Sequence, residues 1–245
     1  MTLSALLLAG ALAGVINTLA GGGSFVTVAA LLFAGLPADV ANATNRLGVI
    51  FQTTISTRRF AQAGHLDHGL ALRLAPATIV GALLGAWLST DIDVALLRQI
   101  IGGVMLAMLI IVIVRPQRWL SADGGAGVHP ALRHLAFFGI GAYGGFLQAG
   151  VGVFLLMGLS VFAGLDLVRA NAVKVLLVFL FTLPAFGLYL ANGLIDWAPG
   201  LVLAVGGAVG GGVGARLTVW GGAPLVRWVL VGVLAVSGAR LLLTS

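Results

Sequence analysis

Ala20-Gly21-Gly22-Gly23-Ser24 interrupts the first apolar stretch of this chain, and Ala149-Gly150-Val151-Gly152 interrupts another one 129 residues later. The offset holds without a gap across most of both halves. Gly35-Leu36 returns as Gly164-Leu165, and Ala41-Asn42-Ala43 as Ala170-Asn171-Ala172. Gly64 and Asp67 return as Gly193 and Asp196, Gly81 and Gly85 as Gly210 and Gly214, Arg98 and Gly103 as Arg227 and Gly232. This pattern is an internal duplication. In a membrane protein, glycine-interrupted short segments in corresponding positions of two halves point to a binding site between the halves.

The composition puts the chain in a lipid bilayer. Hydrophobic residues make up 60% of it and charged residues 8%, against about a quarter charged in soluble domains. Mean hydropathy is +1.13, and there is no Glu. A soluble protein of this composition would lack the polar surface it needs. The net charge of +6 does not indicate nucleic acid, because the basic residues stand singly at segment ends and form no patch. They read as positive-inside topology markers. The absence of Cys excludes disulfides, thiolate metal sites and Cys nucleophiles. Met1 to Ala20 lacks a basic n-region and has a mid-chain counterpart, so it reads as structure and not as a cleaved signal.

Four apolar segments can be read in each half. In the first they are roughly 3–34, 40–60, 69–88 and 94–114, and in the second roughly 132–163, 169–190, 199–218 and 225–243. Between them lies the one long polar stretch, with Pro116, Asp123, Gly124, Gly125 and Gly127. The expected organisation is a first transmembrane repeat over 1–114, a cytoplasmic linker over 115–130 and a second transmembrane repeat over 131–245. Segments two to four approach the ~20 residues that span the hydrocarbon core as helix. The first segment of each half has roughly 17 apolar residues before the glycines and only about 10 after them, too few to cross at ~1.5 Å per residue. One long broken helix and a hairpin with a re-entrant second arm both fit this pattern.

Charge favours the hairpin. In the first half, basic residues follow segment two (Arg58, Arg59, Arg73) and flank the linker (Arg115, Arg118, Arg133), while Asp39, Asp91 and Asp93 mark the other side, with Arg98 dissenting. In the second half the signs swap. Arg169 and Lys174 follow segment one, Arg216 and Arg227 flank the loop after segment three, and Asp196 alone follows segment two. By the positive-inside rule the repeats then lie in opposite orientation, with an odd number of crossings in each. Arg240 would lie outside, against the rule. The expected fold is an all-α polytopic membrane protein of two inverted repeats in a bacterial-type plasma membrane.

An unwound helix in hydrocarbon persists where its backbone groups line a cavity or meet a ligand. Helices beginning at Ser24 and Val153 would aim N–H groups and positive dipole ends at one place, and Ser24 is a good N-cap. The candidate substrate-binding set is Gly21, Gly22, Gly23 and Ser24 at the first break and Gly150 and Gly152 at the second. Asn17 and Gln148 precede the breaks. Asn42, Asn45 and Gln52 share one face of the second helix, and Asn171 and Lys174 lie on the matching face of the other half. Lys174 is the only lysine and aligns with Asn45. A lysine just inside a membrane helix either snorkels to the interface or faces a cavity. The set is rich in donors and poor in acids, which favours an oxyanion over a metal cation.

Other motifs carry less. His65, Asp67 and His68 are close enough to suggest a metal, but only the aspartate recurs in the second half, and a helix-capping role explains it. Gly81-x-x-x-Gly85 and Gly210-x-x-x-Gly214 read as close helix packing. No strand precedes the glycines and no GK[ST] follows, so nucleotide binding is not expected. The expected partners are a small anionic substrate and the lipid bilayer, with no cofactor and no nucleic acid. A homo-oligomer is compatible with the sequence.

Gly21-Gly22-Gly23, then Leu36-Pro37-Ala38-Asp39-Val40-Ala41-Asn42-Ala43-Thr44-Asn45, then Gly64-His65-Leu66-Asp67-His68, resemble the TauE/SafE sulfite exporter family. Ala170-Asn171-Ala172-Val173-Lys174-Val175 and Gly193-Leu194-Ile195-Asp196-Trp197 extend the resemblance over nearly the whole chain. It implies transport of sulfite, organosulfonates or related sulfur oxyanions, often outward. The rival readings are a membrane-embedded enzyme and a structural or sensory membrane subunit. The first is disfavoured by the absence of Glu, Cys and a recurrent His–acid pair, the second by the lack of a soluble effector domain.

Overall fold

The structure is a computed structural model that describes residues 2–97, 99–100 and 129–243. Most of the expected linker, the Arg98 and Gly103 positions and most of segment four of the first half lie outside the described residues. What is described is helical, with no strand. The helices are α1 (Leu3–Leu19), α2 (Ser24–Phe33), α3 (Ala38–Gln62), α4 (His68–Thr90), α5 (Pro130–Phe146), α6 (Val151–Ala163), α7 (Leu167–Ala191) and α8 (Trp197–Leu243). Non-helical backbone at Gly222 breaks α8.

Among the described residues, three helices are long and apolar enough to cross a membrane: His68–Thr90, Leu167–Ala191 and Trp197–Val226. At 10 and 13 residues, α2 and α6 are too short to cross a core of ~30 Å at ~1.5 Å per residue. The second helix after a break therefore starts at Ser24 as expected in the first half, but at Val151 and not Val153 in the second.

Glycine decides where helices stop. Gly21, Gly35, Gly64, Gly150, Gly164 and Gly193 have positive φ, and they form three pairs with the same 129-residue spacing seen in the sequence. At Gly64 the His65 amide reaches back to the Phe60 carbonyl at 3.1 Å, and at Gly193 the Leu194 amide reaches the Tyr189 carbonyl at 3.1 Å. Both are Schellman-type helix ends that only a left-handed residue completes. Asp67 then caps α4, accepting from the Leu70 amide at 2.9 Å. The capping role expected of Asp67 is thereby observed.

Much of the helix packing runs between the two halves. α1 lies along α8 and α4 along α5, while α3 packs against α7 and α8. Small residues permit this closeness. A Cβ on Gly10 of α1 would sit 2.8 Å from the Leu203 carbonyl of α8. Gly81 and Gly85 of α4 lie against the α5 backbone at Phe138 and Ala142, and a Cβ at either would overlap it. These are the small-xxx-small contacts by which membrane helices associate when lipid supplies no hydrophobic drive. The halves interleave, and both helix breaks come to lie inside the bundle.

Candidate functional site

The two breaks touch. A Cβ built on Gly21 would overlap the Gly152 backbone, and one on Gly152 would overlap Gly21. Only two glycines let the chains pass at this distance. Gly150, at φ 78°, lies against the Phe25 ring, which a Cβ there would approach to 2.8 Å. The amides of Gly22, Ser24 and Gly152 have no acceptor among the described residues. They are the orphan donors that begin every helix.

Each helix that ends at a break is held by the opposite half. α1 ends on the carbonyls of Asn17, Thr18 and Leu19. Lys174 Nζ, from α7, donates to the Asn17 carbonyl at 2.9 Å, the Thr18 carbonyl at 3.1 Å and Asn171 Oδ1 at 2.6 Å. Asn171 Nδ2 donates to the Leu19 carbonyl at 3.0 Å. At the other break, Arg46 of α3 donates to the carbonyls of Gly144, at 3.2 Å, and Gly145. Asn42 Nδ2 donates to the Phe146 carbonyl at 2.7 Å. Cations and amide donors at helix C-termini satisfy the last carbonyls and meet the negative end of the dipole. Arg46 is further held by Gln148 Oε1 at 2.8 Å and by the Tyr189 hydroxyl at 3.3 Å. Its guanidinium carbon lies 4.5 Å from the Tyr189 ring centre, within cation–π range.

A cavity of about 10 Å³ opens beside the touching glycines, lined by Asn17, Ser24, Gln52, Gln148, Gly152 and Lys174 together with Thr53, Val151, Val175 and Val178. It has room for about one water. A second cavity of the same size shares the Asn17–Gln52 wall and is bounded by Thr27, Asn45 and glycines of α1, α3 and α8. Asn17 is the junction. Its Nδ2 donates to Ser24 Oγ at 3.1 Å and Gln52 Oε1 at 3.0 Å, and its Oδ1 accepts the Gly23 amide at 3.1 Å. Gln52 Nε2 continues the chain to Thr18 Oγ1 at 3.1 Å.

The candidate residues thus divide into three groups. Asn17, Ser24, Gln52, Gln148, Gly152 and Lys174 line one cavity, with Gly21, Gly23 and Gly150 beside it, and Gly22 begins the first turn of α2 by accepting the Phe25 amide at 3.3 Å. Asn45 faces the second cavity, where Thr27 Oγ1 donates to its Oδ1 at 2.5 Å. Asn42 and Asn171 line neither cavity; they hold helix ends. Sequence reasoning missed Arg46, because the 129-residue offset pairs it with Val175. The available signal was the charge itself, an arginine well inside a helix of a membrane protein. Thr18, Thr27 and Tyr189 were missed as well. Arg46 is 0% and Lys174 1% exposed, and among the described residues no Asp is buried with them.

Comparison with known proteins agrees with this membrane architecture. The sequence matches the family described as "Sulfite exporter TauE/SafE" over residues 6–241. A Sinorhizobium sp. protein named "Probable membrane transporter protein ORF9" is 32% identical over 241 residues, 98% of this chain and 92% of that one. The "Probable membrane transporter protein YfcA" of Escherichia coli K12 is 30% identical over 239 residues, 96% of this chain and 87% of its own length. A "Probable membrane transporter protein" of Haemophilus influenzae is 27% identical over 237 residues, 94% of this chain and 90% of its own. No solved structure matches the chain. With a family match along almost the full sequence and full-length relatives that carry transporter names, the chain belongs to the TauE/SafE family and is a membrane transporter and not an enzyme.

Proposed function

We propose that this transporter is a secondary exporter of sulfite, an organosulfonate or a related small sulfur-containing anion, bound between two inverted repeats where the glycine breaks meet. The observation that carries the reading is the charge inside the bundle. Two cations, Arg46 and Lys174, are buried without a buried carboxylate among the described residues. Helix C-terminal carbonyls satisfy them in part, but burying uncompensated charge is costly. An anion at the cavity supplies the missing charge. It would meet the Lys174 ammonium, the Ser24 hydroxyl and the orphan amides at the starts of α2 and α6. A cavity of about 10 Å³ takes about one water, so a sulfur oxyanion requires α2 and α6 to separate. The family description supports sulfite as the first candidate.

The test is a thermal-shift screen of the purified protein with sulfite, sulfate, thiosulfate, taurine, sulfoacetate and chloride. A ligand at ~100 times its dissociation constant stabilises the folded state by about 2.7 kcal/mol. Stabilisation by a sulfur oxyanion beyond that of chloride at equal ionic strength supports the reading, and no response to any of them rejects it.

The inverted arrangement places the linker in the cytoplasm and both termini outside. Its support is the swap of basic and acidic loops between the halves and the two short arms that follow the breaks. A cysteine at Gly125 should resist an impermeant thiol reagent in intact cells, and one at the exposed Asn192 should react. Labelling of Gly125→Cys from outside would overturn the topology.

A further inference from the structure

We infer that Arg46, which does not line the cavity, sets the cavity's polarity by holding Gln148 so that its amide N–H, and not its amide oxygen, faces the substrate. The inference rests on the anion-site reading above and assigns a positioning residue to it.

A Gln or Asn side chain carries an acceptor at one end and donors at the other, and its neighbours decide which end faces which way. An obligate donor settles the choice. Arg46 is one, since a guanidinium has no acceptor. Its NH1 donates to Gln148 Oε1 at 2.8 Å. The oxygen is thereby committed, and Nε2 points away from Arg46. One N–H of that group reaches Thr182 Oγ1 at 3.4 Å. The other is left for the cavity that Gln148 lines. The remaining amides follow the same rule. Asn17 Oδ1 takes the Gly23 amide, Gln52 Oε1 takes Asn17 Nδ2, and Asn171 Oδ1 takes Lys174. Each amide oxygen around the cavity is held by a donor, and the wall presents N–H and O–H groups.

Arg46 is placed to enforce this and not to bind substrate. It is fully buried, and two helix-end carbonyls and the Tyr189 hydroxyl fix its guanidinium. Gln148 is in addition the only non-glycine residue with positive φ among the described residues, at 62°. Strained backbone of this kind persists where the surroundings over-determine it. With a neutral amide in place of Arg46, Gln148 is free to turn over and show its oxygen, which repels an anion. A lysine in its place remains an obligate donor.

The test is sulfite affinity of the purified full-length protein, with correct folding checked by monodisperse elution. Arg46→Gln should weaken sulfite about tenfold or more, the scale of one lost charge-assisted contact, and Arg46→Lys should weaken it clearly less. In a Gln148→Ala background, Arg46→Gln should add nothing, because its effect passes through Gln148. Gln148→Glu keeps an acceptor for Arg46, so the variant folds, but it aims a carboxylate oxygen into the cavity and should abolish sulfite binding. Equal affinities for Arg46→Gln and Arg46→Lys, or an equal loss from Arg46→Gln with and without Gln148, would make Arg46 only a helix cap and overturn the inference. If Arg46→Gln does not fold, Gln148→Glu decides, and parent-like sulfite affinity in that variant overturns it. A parent protein that binds none of the sulfur oxyanions overturns the anion reading and this inference with it. A parent that binds while these variants respond flatly overturns this inference alone.

Discussion

At the first break, α1 stops at Leu19 and its last carbonyls are met by Lys174 and Asn171 of α7; at the second, α5 stops at Phe146 and its carbonyls are met by Arg46 and Asn42 of α3. Asn42 and Asn171 are 129 residues apart and perform the same task on opposite helices. The cations differ. Lys174 carries a compact ammonium with three rotatable donors and lines the cavity. Arg46 carries a rigid planar fork, spends it on four oxygens, those of Gly144, Gly145, Gln148 and Tyr189, and stays behind the wall. An ammonium can turn from a carbonyl to an arriving anion, while a fork held on several oxygens and over a ring cannot do so without losing most of them. On the anion site proposed above, the first break exchanges its cation's contacts and the second keeps them.

The comparison breaks most completely at the point where the breaks touch. Gly152→Leu or Gly21→Leu would drive a side chain into the facing backbone. Overpacking costs about 1–3 kcal/mol, and a side chain on left-handed Gly21 adds roughly 1–2 kcal/mol. Sulfite flux in proteoliposomes should vanish in both. Gly35→Ala is the control. It shares the positive φ, but its Cβ meets nothing within 4 Å, so it should lose only about 1–2 kcal/mol of stability and keep flux. Equal behaviour of Gly152→Leu and Gly35→Ala would show that the contact between the breaks is immaterial.

A smaller effect sharpens the equivalence of the two asparagines. Asn171→Ala and Asn42→Ala each remove one donor from a buried helix-end carbonyl. Asn171→Ala should destabilise the protein by about 1–3 kcal/mol, the usual penalty for an orphaned buried group; Asn42→Ala should cost less, because the Phe146 carbonyl keeps the Tyr189 hydroxyl at 3.3 Å. Thermal unfolding of the two variants in one detergent measures it. A loss from Asn42→Ala as large as or larger than that from Asn171→Ala would mean that Tyr189 does not share the second helix end.

The breaks themselves were legible in the sequence, because glycine in an apolar run has a direct backbone consequence and its recurrence at one offset marks it as structural. The cap at Asp67 was legible for the same reason: its partner is its own chain three residues on. Interactions across the bundle were not. Lys174 stood out as the one lysine, just inside a membrane helix, but main-chain carbonyls have no signature in sequence, so its grip on α1 could not be read. Arg46 was hidden by the very offset that exposed the repeat, since its counterpart is Val175 and the function it matches sits one position earlier, on Lys174. Asn42 and Asn171 were recognised as a pair but read as cavity donors. Which helix end they reach depends on the interleaving of the two halves, which only the packing reveals.

The central claim is that the touching breaks and Lys174 form one anion site. Sulfite titration of purified Lys174→Gln against the parent tests it most directly. Losing a charge-assisted hydrogen bond removes about 1.5–3 kcal/mol, so the dissociation constant should rise roughly tenfold to a hundredfold. Lys174→Arg should fall between the two proteins, since it keeps the charge but not the compact geometry. A dissociation constant in Lys174→Gln equal to that of the parent would contradict the account and leave Lys174 as nothing more than a cap on α1.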